Sequence, residues 1–315
     1  MNSSPGTISG FIYQSLNEFR YLISHKVRLH YLLFFLTFGL SLYLLAVLDY
    51  DSINIPDNPL FGGMVVGDAP LTDILLFTYL LFNTIMSSGG EAAILIPADL
   101  GITLVIILSI FLALSTVSRF AINSAASSLS REVEAKTLYI IASTPNARLS
   151  IYLAKLTGAF LGSLPLLAVM TIGVFLMLTS KFGSIPGYQA QIIDITFKMV
   201  IMTVSTLLLF ISLGGLISVF RRGEESAVSL SNLIIGLVVL LASFWMILPV
   251  FSILGEGFAS MVEMVTMLSP VTQDMIVLYE NNDLLLIKYA GIQLFIAILL
   301  TVFGIIVFNK KDIEY

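Results

Sequence analysis

Six apolar runs that contain no Asp, Glu, Lys or Arg constrain the fold of this chain more than any other feature. Crossing the hydrocarbon core of a bilayer takes about 20 helical residues, and the runs are of that order. Their apolar residues are continuous rather than alternating, which favours helices over the strands of a barrel. The predicted spans are Tyr31–Leu48, Leu100–Ser118, Leu156–Ser180, Met199–Phe220, Ser226–Gly255 and Tyr289–Asn309.

Composition agrees with a membrane protein. Hydrophobic residues make up 57% of the 315 residues and charged residues 11%, and the mean hydropathy is +0.99, well above that of soluble domains. We therefore predict an all-α, multi-pass protein of the cell membrane, with the lipid bilayer as its surroundings and no nucleic-acid partner. Residues 31–315 form the predicted six-helix transmembrane domain, and residues 1–30 precede it.

The leader carries an amphipathic pattern from Ile8 to Arg28. Its apolar side chains fall within one arc of a helical wheel, with polar side chains opposite. This pattern predicts a cytoplasmic helix lying in the membrane interface; the alternative is a helix that extends the first span into water. The apolar arc comprises Ile12, Leu16, Phe19, Ile23 and Val27, and the polar side comprises Gln14, Asn17, Glu18, Ser24, His25 and Arg28.

The distribution of Lys and Arg predicts the orientation. Six spans place both termini on one side, and twelve of the fifteen basic residues fall on that side. Both termini are therefore predicted to be cytoplasmic. The twelve are Arg20, Lys26, Arg28, Arg119, Arg131, Lys136, Arg148, Lys155, Arg221, Arg222, Lys310 and Lys311.

Two acidic segments are predicted to be external. Asp49–Asp99 has no Lys or Arg and contains an apolar stretch at 71–86, which is either an external or a re-entrant helix; a true crossing there would invert every later loop. In Glu256–Lys288, Ser269-Pro270 is predicted to start a helix that runs to Tyr279, with residues 281–283 as a turn.

Within the spans, small residues stand out and charges are missing. Gly158 and Gly162 form a small-xxx-small pair that lets another helix approach closely. None of the six spans has an ionisable residue near its middle, which makes a proton- or sodium-coupled carrier a weaker hypothesis.

The segment Arg131–Lys155 is a charged insert between two charge-free runs. Its start predicts a short surface helix over Ser130–Ala142. Thr144 as N-cap and Pro145 at the first helical position predict a second helix, so that the two meet at a corner. The alternative is a solvated loop that happens to contain Thr-Pro.

This segment resembles the coupling helix of the type-2 ABC transporter permease family. The residues that carry the resemblance are Glu134, Thr137, Leu138, Ile141, Thr144, Pro145, Arg148 and Lys155. The sequence departs from the family at Lys136, where the family commonly has Gly. The resemblance implies a cytoplasmic coupling helix whose ATPase-coupling residues are Arg131, Glu134, Thr137, Leu138, Ile141, Thr144, Pro145 and Arg148.

The resemblance further implies a transport subunit, most often of an exporter, that is not itself an enzyme. The chain has no Walker A motif, no Cys, and only two His, both in the leader. ATP and magnesium are therefore expected on a partner, a P-loop ATPase nucleotide-binding subunit, and no cofactor is expected in this chain. A second permease subunit is implied, as a homo- or heterodimer. The alternatives are an ATP-independent six-span carrier or channel and a membrane anchor without transport activity.

Overall fold

The computed structural model describes residues 8–25, 27–47, 98–135, 145–183, 187–246 and 256–310. Every regular element within these ranges is an α-helix. The helices are α1 Ile8–His25, α2 Val27–Val47, α3 Ala98–Glu134, α4 Pro145–Phe182, α5 Tyr188–Phe220, α6 Glu224–Met246, α7 Glu256–Thr266, α8 Pro270–Glu280 and α9 Asp283–Lys310.

Six of these helices, α2 to α6 and α9, are long and apolar enough to cross a bilayer. The chain is thus an all-α, multi-pass membrane protein, and the prediction of its fold class is confirmed. The apolar stretch at 71–86 lies outside the described residues. We call the end of the bundle where α3 ends, α4 begins and α9 ends the basic end, since Arg131, Arg148 and Lys310 lie there.

The centre of the bundle is formed by α3 and α5, which are mostly buried, whereas α2, α6 and α9 are mostly exposed on its periphery. Small side chains permit a close crossing of α3 and α5. A Cβ atom added to Gly214 of α5 would lie 2.4 Å from the carbonyl oxygen of Ile122 and 2.9 Å from the Cβ of Ala125. The backbones therefore meet without an intervening side chain.

Helices extend beyond the charge-free runs that were predicted as spans, and α3 and α5 show this clearly. The second span was predicted to end at Ser118, but α3 continues without a break to Glu134, so no separate helix begins at Ser130. Ala121, Ala125 and Leu129 of the extension are buried. Protein rather than lipid covers this part of α3, so high hydropathy is not required of it. The fourth span likewise begins at Tyr188 rather than Met199.

The leader helix α1 packs against α4, and its orientation is informative. Ser15, Glu18 and Leu22 are buried, whereas Ile12 and Leu16 of the apolar arc are 51% and 43% exposed. The face of α1 that carries Ser15, Glu18 and Leu22 thus meets protein, and Ile12 and Leu16 of the apolar arc face outward. An outward apolar face is what a helix lying in the membrane interface requires.

The partner of the predicted small-xxx-small pair is α1. A Cβ added to Gly158 would lie 2.6 Å from the Cβ of Glu18, and one added to Gly162 would lie 2.8 Å from Cδ1 of Leu22. The prediction of close packing at this pair is confirmed. Both glycines are needed to seat α1 on α4.

A bent helical pair, α7 and α8, lies at the end of the bundle opposite the basic end. The two helices bend by 110° at a short break. As predicted, Ser269 is the N-cap of α8, and its Oγ accepts a hydrogen bond from the N–H of Thr272 at 3.3 Å, with Pro270 at the first helical position. Asn281 ends α8 in the left-handed region, with φ 45°. The bend returns α8 toward the start of α9.

Candidate functional site

The structure describes four of the eight predicted coupling residues. Arg131 and Glu134 lie in the last turn of α3, and Pro145 and Arg148 lie in the first turn of α4. Pro145 begins α4, as predicted. The remaining four, Thr137, Leu138, Ile141 and Thr144, lie outside the described residues.

A cluster of four charges, which we call the ion cluster, joins α1, α3 and α4 at the basic end. Lys155 Nζ lies 2.7 Å from Glu18 Oε2, and Arg131 Nη2 lies 3.1 Å from the same oxygen. Lys155 also pairs with Glu132. The side chain of Glu18 is only 1% exposed and that of Lys155 only 9%. Such buried charges are tolerated in proteins when they are paired and hydrogen-bonded.

Arg131 makes a second contact to α1. Its guanidinium lies over the ring of Tyr21, 3.8 Å from the ring centroid. A cation over an aromatic face is attracted by the ring quadrupole, more strongly where water is partly excluded. Arg131 therefore holds two positions on α1, one turn apart.

Glu134 binds the start of α6. The backbone N–H of Glu224 donates to Glu134 Oε2 at 2.8 Å. The first N–H groups of a helix have no intrahelical partner, and the positive end of the helix dipole favours a carboxylate. Glu134 thus supplies α6 with a charged partner for its N-terminus from another helix.

Arg148 binds the end of α9. Its Nη1 donates to the backbone oxygen of Asn309 at 3.0 Å. Carbonyls in the last turn of a helix lack intrahelical partners, and a cation there complements the dipole. One turn further along α4, the ring of Tyr152 lies 5.9 Å from that of Phe308. The start of α4 is therefore docked on the end of α9.

Glu18 and Lys155 are the site residues whose role sequence reasoning missed. Lys155 was identified only as the end of the resemblance, and the structure shows that it is buried against Glu18 and Glu132. The sequence did contain a signal for Glu18. A carboxylate that is buried needs a partner, and the two glycines of α4 allow another helix to approach closely. The periodicity of the sequence does not show that Glu18 and the two glycines take part in the same contact between α1 and α4.

A second polar site, which we call the buried polar cluster, lies between α5, α8 and α9. Asp274 is 0% exposed. The hydroxyl of Thr206 lies 2.8 Å from its Oδ2, and Gln293 Nε2 donates to its Oδ1 at 3.2 Å. Ser205 donates to Gln293 Oε1 at 2.7 Å. The position of Asp274 inside the bundle was not predicted, because this residue stands in an acidic segment that was predicted to be external.

The depth of this cluster follows from α5. Lys198 binds the turn after α8, with Nζ 2.8 Å from both Asn281 Oδ1 and Asp283 Oδ1. Thr206 lies eight residues further along α5, about 12 Å closer to the basic end. The bent pair therefore carries a carboxyl group well into the bundle. An ionisable group at such a depth is usually functional.

No model of a known protein family matches this chain, and a search of curated proteins found no significant match.

Proposed function

We propose that this chain is the membrane-spanning subunit of an ATP-driven exporter of the type-2 ABC class. A separate P-loop ATPase would bind ATP and magnesium, and this subunit would convert the movement of the ATPase into a change of access across the bilayer. A second membrane-spanning subunit would complete the pathway. The proposal places both termini and the basic end in the cytoplasm, in accord with the positive-inside rule.

The observation that carries the proposal is how the two described ends of the predicted corner, the end of α3 and the start of α4, are attached to the bundle. Three charged residues at these ends each bind a different helix: Arg131 binds Glu18 of α1, Glu134 binds the start of α6, and Arg148 binds the end of α9. A coupling element needs such attachments, because a displacement of a free loop would not reach the spans. A solvated loop is not expected to make three such attachments to other helices.

The ATPase would bind at the tip of this corner. Glu134, Ala135 and Leu149 are exposed there, and residues 136–144 connect them in sequence. Helix-in-groove docking places an apolar face of a short helix in a groove of the partner, and Leu138, Tyr139 and Ile141 of the connecting segment are candidates for such a face. Closure of two ATPase subunits would then displace two such corners together.

Replacing Glu134 with lysine is expected to uncouple ATP hydrolysis from transport while leaving membrane insertion intact. The change removes the acceptor for Glu224 N–H and places a cation at the positive end of the α6 dipole. A hydrogen bond to a charged group contributes about 1.5–3 kcal/mol, so coupling should fall about tenfold or more. The measurement is cargo-stimulated ATPase activity of the purified complex in proteoliposomes, compared with its basal activity.

Glu134→Gln is the matched control, because the amide oxygen accepts the same hydrogen bond without the charge. It is expected to stay within a few-fold of the native chain. Thr144-Pro145→Ala-Ala, which removes the predicted cap of α4, is expected to uncouple as Glu134→Lys does. Native coupling in both Glu134→Lys and the double variant would contradict the proposal, as would transport by the purified chain without any ATPase.

A second candidate function, an ATP-independent carrier, is favoured by one observation, the buried carboxyl of Asp274. Asp274→Asn is nearly isosteric and retains a hydrogen-bonding side chain, but it cannot exchange a proton. If the chain were a proton-coupled carrier, this variant would abolish transport by the chain alone in vesicles with an imposed pH gradient. We expect the opposite outcome: no gradient-driven transport by the native chain, and ATP-driven transport by the Asp274→Asn complex within a few-fold of native.

A further inference from the structure

A groove of about 320 Å³ lies between α3 and α6 and opens to the outside of the bundle. It combines a cation and polar groups with apolar walls. Its lining includes Leu112, Ser115, Thr116, Arg119, Asn232 and Val239. Clefts of this size that join apolar walls to a few polar groups are typical of binding sites for small molecules.

The polar part of the groove lies within the segment of α6 that is long and apolar enough to cross a bilayer. Asn232 lies eight residues after Glu224, the first residue of α6, and therefore about 12 Å from its start. Arg119 Nε donates to Asn232 Oδ1 at 3.0 Å, so the guanidinium lies near the same depth. A cation at such a depth is costly and usually marks a functional site.

The groups of the groove are only partly satisfied by the protein. Asn232 Oδ1 accepts from both Arg119 Nε and Asn123 Nδ2, at 3.0 Å each. Within the described part of the chain, the bond to Asn232 is the one hydrogen bond that Arg119 makes. The terminal nitrogens of its exposed guanidinium have no hydrogen-bond partner there. Ser115, which lines the groove, has a buried hydroxyl without a hydrogen-bond partner there. Donors directed to no protein acceptor suit an anionic ligand.

We propose that this groove binds the anionic head group of an acyl-chain amphiphile that enters from the bilayer. The guanidinium of Arg119 would pair with a phosphate or carboxylate, and Ser115 would donate one further hydrogen bond. Leu112, Ile235 and Val239 would contact the chain. A free inorganic anion would gain nothing from these walls, whereas an amphiphile gains from both parts of the groove.

The groove also defines a class of cargo, and this step rests on the proposed function. An exporter that takes amphiphiles from the membrane needs a site that is accessible from the lipid and that neutralises the head group within the core. A second groove, of about 310 Å³ between α2 and α4, is lined by apolar residues such as Phe34, Phe38 and Leu176. Having no cation, it would not select a charged head group.

The test uses vesicles that contain equal amounts of phosphatidylglycerol and phosphatidylcholine with identical acyl chains. The chain is reconstituted, re-extracted in mild detergent, and its retained lipids are quantified by mass spectrometry. Both head groups carry a phosphate, but the choline cation makes phosphatidylcholine neutral overall and is repelled by Arg119. The native chain is therefore expected to retain phosphatidylglycerol over phosphatidylcholine by about tenfold, which corresponds to about 1.4 kcal/mol. Arg119→Gln should reduce that ratio to about one, whereas Arg119→Lys, which keeps the charge, should retain most of it.

Arg20→Gln is the control for general surface charge, because Arg20 is exposed on α1 and lies outside the groove. It should leave the ratio unchanged, and a thermal melt of each variant shows that the bundle is folded. A native ratio in Arg119→Gln would overturn the proposal. So would loss of the preference in millimolar inorganic phosphate, because the site would then bind a free anion. Selective retention by a chain that associates with no ATPase would uphold the groove and overturn the proposed function.

Discussion

Replacing Glu18 with leucine is expected to destabilise the bundle by up to about 3 kcal/mol, because the buried cation of Lys155 then keeps only one of its two carboxylate partners. Lys155 is 9% exposed and has Glu18 and Glu132 as its ion-pair partners, so it cannot reach water when one of them is lost. Arg131, at 24% exposure, is less affected. The measurement is the thermal unfolding midpoint of the purified chain, followed by size-exclusion chromatography.

The double variant Glu18→Leu with Lys155→Leu separates the penalty of an unpaired charge from loss of packing. Replacing a buried ion pair by apolar residues is often neutral or stabilising, so this variant should recover much of the loss. If Glu18→Leu melted at the native temperature, or if the double variant were no better than the single one, the ion cluster would not hold α1 on the bundle.

Gly214→Ala is expected to destabilise the crossing of α3 and α5 by about 1–3 kcal/mol, the usual cost of overpacking a core. The added methyl group would lie 2.4 Å from the carbonyl oxygen of Ile122. That oxygen belongs to a helix backbone, so the helices themselves must separate. Gly214→Leu should yield no folded protein, which expression and monodispersity in detergent would show.

Gly291→Ala is the matched control, because the same change in α9 meets nothing within 4 Å. Alanine is the better helix former by about 1 kcal/mol, so this variant should be as stable as the native chain or slightly more stable. Equal melting temperatures for Gly214→Ala and Gly291→Ala would show that α3 and α5 do not cross as closely as described.

Hydropathy and capping chemistry were sufficient to predict the six spans that the described residues contain and several helix ends. Each of these signals is local: a run of apolar residues, or Ser269 followed by Pro270. The end of α3 was predicted wrongly for a physical reason. Charge and low hydropathy after Ser118 indicate the membrane surface only where lipid surrounds the helix. Helices α1, α5 and α6 pack on this part of α3 instead.

The contacts of both sites could not be predicted from the sequence, because they join residues distant along the chain. The helical wheel places Glu18 on the polar side of α1, but it does not show whether that side meets water or α4. Asp274 stands among acidic residues that were predicted to be external, and only the bend before α8 brings it to Thr206 and Gln293. The resemblance predicted Arg131, Glu134 and Arg148 as one group, without the three helices that they bind.

The ion cluster contains two carboxylates, Glu18 and Glu132, and two cations, Arg131 and Lys155, so its formal sum is zero. Moving one elementary charge through a membrane voltage of 100 mV changes the energy by about 2.3 kcal/mol, whereas a neutral quartet moves without that term. A movement that shifts α1, α3 and α4 together therefore carries no net charge of the ion cluster through the membrane voltage. The energy needed to move the ion cluster is therefore the same in an energised cell as in a depolarised vesicle.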